Sequence, residues 1–154
     1  MANPVDRYRA VPSVVHRLLG FGHEGGDPYT LSRLKEDIRR DVENFLNTRI
    51  PCLHLPKDLF PELAASILTY GRPDLGTLRT NKELERFGRR IEEGIRQFEP
   101  RFQSVNVEVT SLPTSTDRTL KLQIRSKLRL EPARSFDFDS DVDMASGRCL
   151  LRIR

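Results

Sequence analysis

The apolar period of this chain changes once, near residue 100, and that change constrains the fold more than any other feature. Before it, apolar residues recur every three or four positions: Leu31, Leu34, Ile38, Val42, Phe45 and Leu46, then Leu84, Phe87, Ile91, Ile95 and Phe98. Each set is one stripe of a 3.6-residue helix. After it, apolar and polar residues alternate, as in a strand with one buried face. Four such faces follow: Val105, Val107 and Val109; Leu120 to Leu130; Phe136 to Met144; and Cys149, Leu151 and Ile153. The expectation is α+β: two main helices plus short helices packed on one face of a four-stranded antiparallel sheet.

Local signals set the boundaries. Thr30 or Ser32 can cap the first helix, which should stop near Thr48-Arg49 because Pro51 biases Ile50 away from helical backbone. Thr80 and Glu83 form a capping box for the second helix, Asn81 to Phe98, and Pro100 ends it. Gly88 and Gly94 inside that helix point to close approach by another element. Between the helices, Pro61 to Leu68 reads as a short helix and Tyr70 to Asp74 as a tight turn. Residues 1–29 read as an N-terminal arm with a short helix at Val14–Leu19, and residues 30–154 as a single domain.

The sheet register can be proposed from charge. Pairing Leu130 with Phe136 sets Ser126 on Ser140, and sets Arg129, Lys127 and Arg125 on Asp137, Asp139 and Asp141. A turn at Ala145–Arg148 places Arg152 beside Asp141 and Arg154 beside Asp139. Facing opposite charges contribute roughly 0.2–1 kcal/mol each. The row of aspartates therefore reads as a cross-strand device. As calcium ligands they would have to converge from a loop, which strand side chains do not do.

Composition excludes several functions. At 154 residues, with 37% hydrophobic and 31% charged residues, the chain suits one globular domain. The formal net charge of +4 comes from interleaved signs, without a basic, aromatic-studded face, so no nucleic acid partner is expected. No apolar run approaches the roughly 20 residues of a transmembrane helix, so no direct membrane insertion is expected. His16, His23 and His54 are scattered, and Cys52 and Cys149 lie far apart, so no metal, cofactor or disulfide is expected.

One motif invites a catalytic reading. In Glu99-Pro100-Arg101 the proline fixes the backbone where helix gives way to strand, holding two opposite charges in a corner. A hydrolase would use Glu99 as a general acid, but glycoside hydrolysis usually needs a second carboxylate and none stands out. A neighbouring arginine also favours the charged carboxylate over the protonated acid. The preferred reading is architectural, with no catalytic residue.

Three segments in order carry a resemblance. They are Leu46-Asn47-Thr48-Arg49; Ser66 followed by Tyr70, Gly71, Pro73 and Asp74; and Phe98-Glu99-Pro100-Arg101. Over about residues 13–154 the chain resembles TssE-type baseplate wedge proteins of bacterial type VI secretion systems, and the related phage-tail wedge proteins once labelled lysozyme-like. Arg72 departs from the pattern, which leads one to expect an aliphatic residue there, and Phe102 is a milder variation. The resemblance implies a non-enzymatic part of the baseplate in the bacterial cytoplasm, beneath the inner membrane. Its implied partners are the baseplate proteins TssF, TssG and TssK, and it helps start the TssB/TssC contractile sheath. The alternatives are a peptidoglycan hydrolase, or a baseplate protein of a phage-derived contractile particle. Asn47, Arg49, Tyr70, Gly71, Pro73, Asp74 and Glu99 to Arg101 are the expected structural or partner-binding residues. The outer strands should leave two free edges, and Leu151, Arg152, Ile153 and Arg154 are the expected sheath-docking edge. The arm at 13–21 and the Glu-Pro-Arg corner are the expected wedge contacts.

Overall fold

The computed structural model describes residues 30–51, 62–63, 66–76, 78–111, 117–133 and 135–154. The expected arm, the three histidines, Cys52 and much of the expected helix from Pro61 to Leu68 lie outside the described residues. Within that last segment, Ile67–Thr69 is a single 3-10 turn capped by Ser66.

Two helices and four strands make up the rest. Helix α1, Leu31–Asn47, starts at Thr30, whose side chain accepts the Arg33 N–H at 3.3 Å. Helix α2, Asn81–Phe98, starts at the expected capping box: Glu83 accepts the Thr80 N–H at 2.8 Å, and Thr80 accepts the Glu83 N–H at 3.3 Å. The strands are β1 Phe102–Ser111, β2 Thr119–Leu128, β3 Ser135–Asp143 and β4 Cys149–Ile153. They form one antiparallel sheet in the order β1-β2-β3-β4. Every second residue of β2 and β3 is buried, so only one sheet face is covered. Helix α2 packs along β1 and α1 along β4. Leu34, Ile38, Ile91 and Ile95 meet Leu120, Ile124, Phe138 and Val142 in the core.

The register differs from the charge-based expectation. Ser126 faces Phe136, Ile124 faces Phe138 and Leu120 faces Val142, a slip of four residues. An even slip keeps every aspartate on the solvent face, so facing and register are separate questions. Geometry at the β2 exit decides. Arg129 does not face Asp137: its N–H donates to Arg101 O at 3.0 Å and its Nε to Pro100 O at 2.8 Å. That holds the chain to the β1 side and lengthens the β2–β3 loop. The two serines do not meet either. Ser126 Oγ donates to Phe136 O, and Ser140 Oγ lies 2.9 Å from Cys149 Sγ.

The β3–β4 register is two residues from expectation. Met144 donates its N–H to Arg118 O at 3.0 Å instead of joining the hairpin, and Val142 faces Cys149. The turn closes through Asp143, whose carboxylate accepts the Ala145 and Ser146 N–H groups at 2.7 and 3.1 Å. Gly147 takes the left-handed φ of +71° that the turn needs. Arg152 consequently faces Asp139, and its guanidinium reaches Asp141 diagonally at 3.5 Å.

Candidate functional site

The Glu99-Pro100-Arg101 corner is a closed charge cluster. Glu99 caps α2, donating its N–H to Ile95 O at 2.8 Å, and is only 6% exposed. Arg101 Nε donates to Glu99 Oε1 at 2.6 Å, its Nη2 reaches Glu99 Oε2, and its own N–H donates to Glu99 Oε1 at 3.1 Å. The same Nη2 reaches Asp41 on α1. Burial disfavours the guanidinium charge, but the bonds and charges of Glu99 and then Asp41 outweigh it and raise the Arg101 pKa. The guanidinium sits between two carboxylates, and the buried Glu99 carboxylate is turned inward onto it. The arrangement ties the end of α2, the start of β1 and α1 together.

Beneath the charges lies an aromatic joint. Tyr70 stands edge-on to Phe45, centroids 5.4 Å apart, and to Phe98 at 5.2 Å. Burial, then the charges of Asp41 and Glu99, push the Tyr70 hydroxyl pKa up. Next to it, Gly71 has φ +115°, and a Cβ there would stand 2.5 Å from Thr48 O. The glycine lets the two segments pair: Arg72 N donates to Thr48 O at 2.8 Å and Ile50 N to Arg72 O at 3.0 Å. Pro73 is buried, and Arg49 reaches Asp74 at 3.1 Å in a largely exposed pair worth little energetically. Asn47 turns to β4: its Nδ2 donates to Cys149 O at 3.0 Å and its Oδ1 accepts the Cys149 N–H at 2.9 Å.

The structure thus brings Asn47, Arg49, Tyr70, Gly71, Pro73, Asp74 and Glu99 to Arg101 into one joint. Asp41 is the member that sequence reasoning missed. Its signal was its position, one turn before Phe45 on the helix face that meets Tyr70 and Phe98.

The outer strands β1 and β4 are the two sheet edges, as expected, and side chains from the helices bond to each. On β1, Glu92 accepts the Val107 N–H at 3.2 Å and Arg96 donates to Val105 O at 3.5 Å. The two side chains pair with each other at 2.7 Å, so α2 covers the middle of that edge at Val105 and Val107. On β4, Asp143 N bonds Arg148 O and Arg154 N bonds Asp137 O. Even-numbered residues therefore serve the β3 ladder, and Cys149, Leu151 and Ile153 turn their backbone groups outward. Asn47 takes both groups of Cys149, and Arg39 donates to Leu151 O at 3.3 Å. The Leu151 N–H and both Ile153 groups face the open side, where Ile153 is 41% exposed.

Among the described residues, no helix is long and apolar enough to cross a membrane, and no three His, Cys, Asp or Glu residues are grouped to hold a metal ion. A two-layer domain with its charged motif locked internally and one open strand edge has the features of a structural assembly part. The sequence model of baseplate wedge protein gp25 matches residues 32–133, about two thirds of the chain, and the chain belongs to that family, which includes TssE. It is a structural component of a phage-tail-like baseplate. The matched residues include the whole joint except β3 and β4, which lie beyond them. No curated protein matches the sequence.

Proposed function

We propose that the chain is the TssE-type wedge protein of a type VI secretion baseplate, working without catalysis in the bacterial cytoplasm beneath the inner membrane. It links the TssF, TssG and TssK wedge to the TssB/TssC sheath and starts sheath polymerisation by accepting a strand on β4. The observation that carries this reading is the far half of β4: α2 side chains bond the Val107 N–H and Val105 O in the middle of β1, while the Leu151 N–H and both Ile153 groups turn outward at the end of β4. Added main-chain bonds supply affinity, and Arg152 and Arg154 select an acidic incoming strand. The exposed rim of the corner, Asp41 with a 35% exposed side chain beside Arg101, is the surface offered to the wedge.

Ile153→Pro tests the docking edge. The Ile153 N–H faces away from β3, so proline there removes an outward donor without breaking the β3–β4 ladder. The variant should fold, keep its wedge partners and fail to nucleate sheaths in cells. Normal sheath assembly would exclude β4 as the acceptor. Neighbouring genes for a membrane complex, as opposed to phage structural genes, separate this reading from a phage-derived particle.

A further inference from the structure

Arg72, where the resemblance leads one to expect an aliphatic residue, is 7% exposed. Its side chain runs away from solvent to the β3–β4 turn. Nη2 donates to Gly147 O at 2.9 Å and Nη1 to Pro73 O at 3.2 Å, while Nε is buried without a partner. Among the described residues, no carboxylate is within ion-pair distance of it; burial lowers its pKa, outweighing Asp74, which is bonded to Arg49 and supports the Arg72 charge only from further off. A buried cation with no carboxylate in contact is unfavourable, and an aliphatic side chain would avoid that cost. What the arginine adds is reach. Its backbone is bonded to Thr48 and Ile50 at the α1 exit, and its tip is bonded to the turn that launches β4. Gly147 accommodates it, since a Cβ there would overlap Arg72 Nη2. Two residues on, Asn47 holds both backbone groups of Cys149. The start of β4 is therefore fixed to α1 at residues 147 and 149, immediately before its open half.

We infer that Arg72 is a positioning residue for the β4 edge, acting with Asn47 to hold Leu151–Ile153 in the geometry that receives a partner strand. This rests on the reading of β4 as the acceptor. The test is Arg72→Met in the full chain, followed by native-state hydrogen exchange, the urea midpoint and capture of purified TssB/TssC. The expected result is an unchanged or raised midpoint, unchanged exchange at Ile91 and Ile124, and about tenfold faster exchange at Cys149, Leu150 and Arg154. Tenfold corresponds to one lost hydrogen bond to a charged group. Capture of TssB/TssC should fall. If core and β4 amides accelerate together as the midpoint drops, Arg72 is an ordinary packing residue and the inference fails. Unchanged β4 exchange or undiminished capture also overturns it. Ile153→Pro, which leaves Arg72 intact, decides the acceptor reading separately.

Discussion

Removing the charge of Arg101 tests the corner most directly. In Arg101→Met the methylene stem is largely kept, and Glu99, with a side chain 7% exposed, is left without its guanidinium. Removing one partner of a buried ion pair typically costs about 3–5 kcal/mol. Two features place this case at the low end, about 3 kcal/mol. Glu99 Oε1 keeps the backbone N–H of residue 101, now 3.1 Å away. Asp41, 35% exposed, can turn to water. For a domain of this length, about 3 kcal/mol lowers Tm by roughly 6–12 °C. The double variant Glu99→Gln with Arg101→Met buries no charge and should cost about 2 kcal/mol less than the sum of the singles. Urea unfolding followed by circular dichroism measures all four proteins. Additive singles, or an Arg101→Met cost below about 1 kcal/mol, would show that the cluster does not hold the corner. Charge reversal at Arg101 brings a third carboxylate against Glu99 and Asp41, so it perturbs the fold before it reports on any wedge contact. Asp41→Asn is the cleaner docking probe.

Two further perturbations separate local causes. A Cβ at Gly94 would overlap Phe45 Cζ, whereas one at Gly88 would stand 3.4 Å from Val107 O. Gly94→Ala should therefore destabilise by about 1–3 kcal/mol through overpacking, while Gly88→Ala, whose contact is ordinary, should be stabilising by up to about 1 kcal/mol of helix propensity; urea midpoints distinguish them. Burial pushes the Cys149 thiol pKa up from 9.0 to about 11, against the opposing Ser140 hydrogen bond. A raised folded-state value means the contribution is whole below pH 9 and is lost as pH rises toward 11. Wild type should lose on the order of 2 kcal/mol more stability than Cys149→Ala between pH 8 and 11, and parallel pH profiles would refute this.

The elements were legible in the sequence because each is specified locally. The Thr80–Glu83 box, the stripes of α1 and α2 and the alternation in β1 to β4 depend on residues within a few positions of one another. The glycines were half legible: Gly94 meets Phe45 as expected, but Gly88 lies near β1 at an ordinary distance. Register was not legible, because charge alternation is satisfied by any even slip. The real determinant is the capture of Arg129 by Pro100, across 29 positions. Asp41 was missed for the same reason, since its partner Arg101 lies 60 positions away. Arg72 stood out only as an exception to a pattern. That it crosses to Gly147 becomes visible once β4 is placed beside α1.

The three family segments, widely separated in the chain, all meet the last three turns of α1 and its exit. Asp41 takes Arg101, Phe45 takes Tyr70 and Phe98, Asn47 takes Cys149, Thr48 takes Arg72, and Arg49 takes Asp74. One helix thus fixes both the Glu-Pro-Arg corner and the start of β4, at opposite ends of the sheet order. A displacement of α1 by a partner at the Asp41 rim would reach β4 through Asn47 without crossing the sheet. At the corner Glu99 and Arg101 bond each other through Nε and Nη2 and leave only the buried Arg101 Nη1 without a partner among the described residues; on β4 the Leu151 N–H and both Ile153 groups face outward. On the proposed reading, affinity for a new strand should reside in the outward groups of β4, and the corner should act by holding α1 against it.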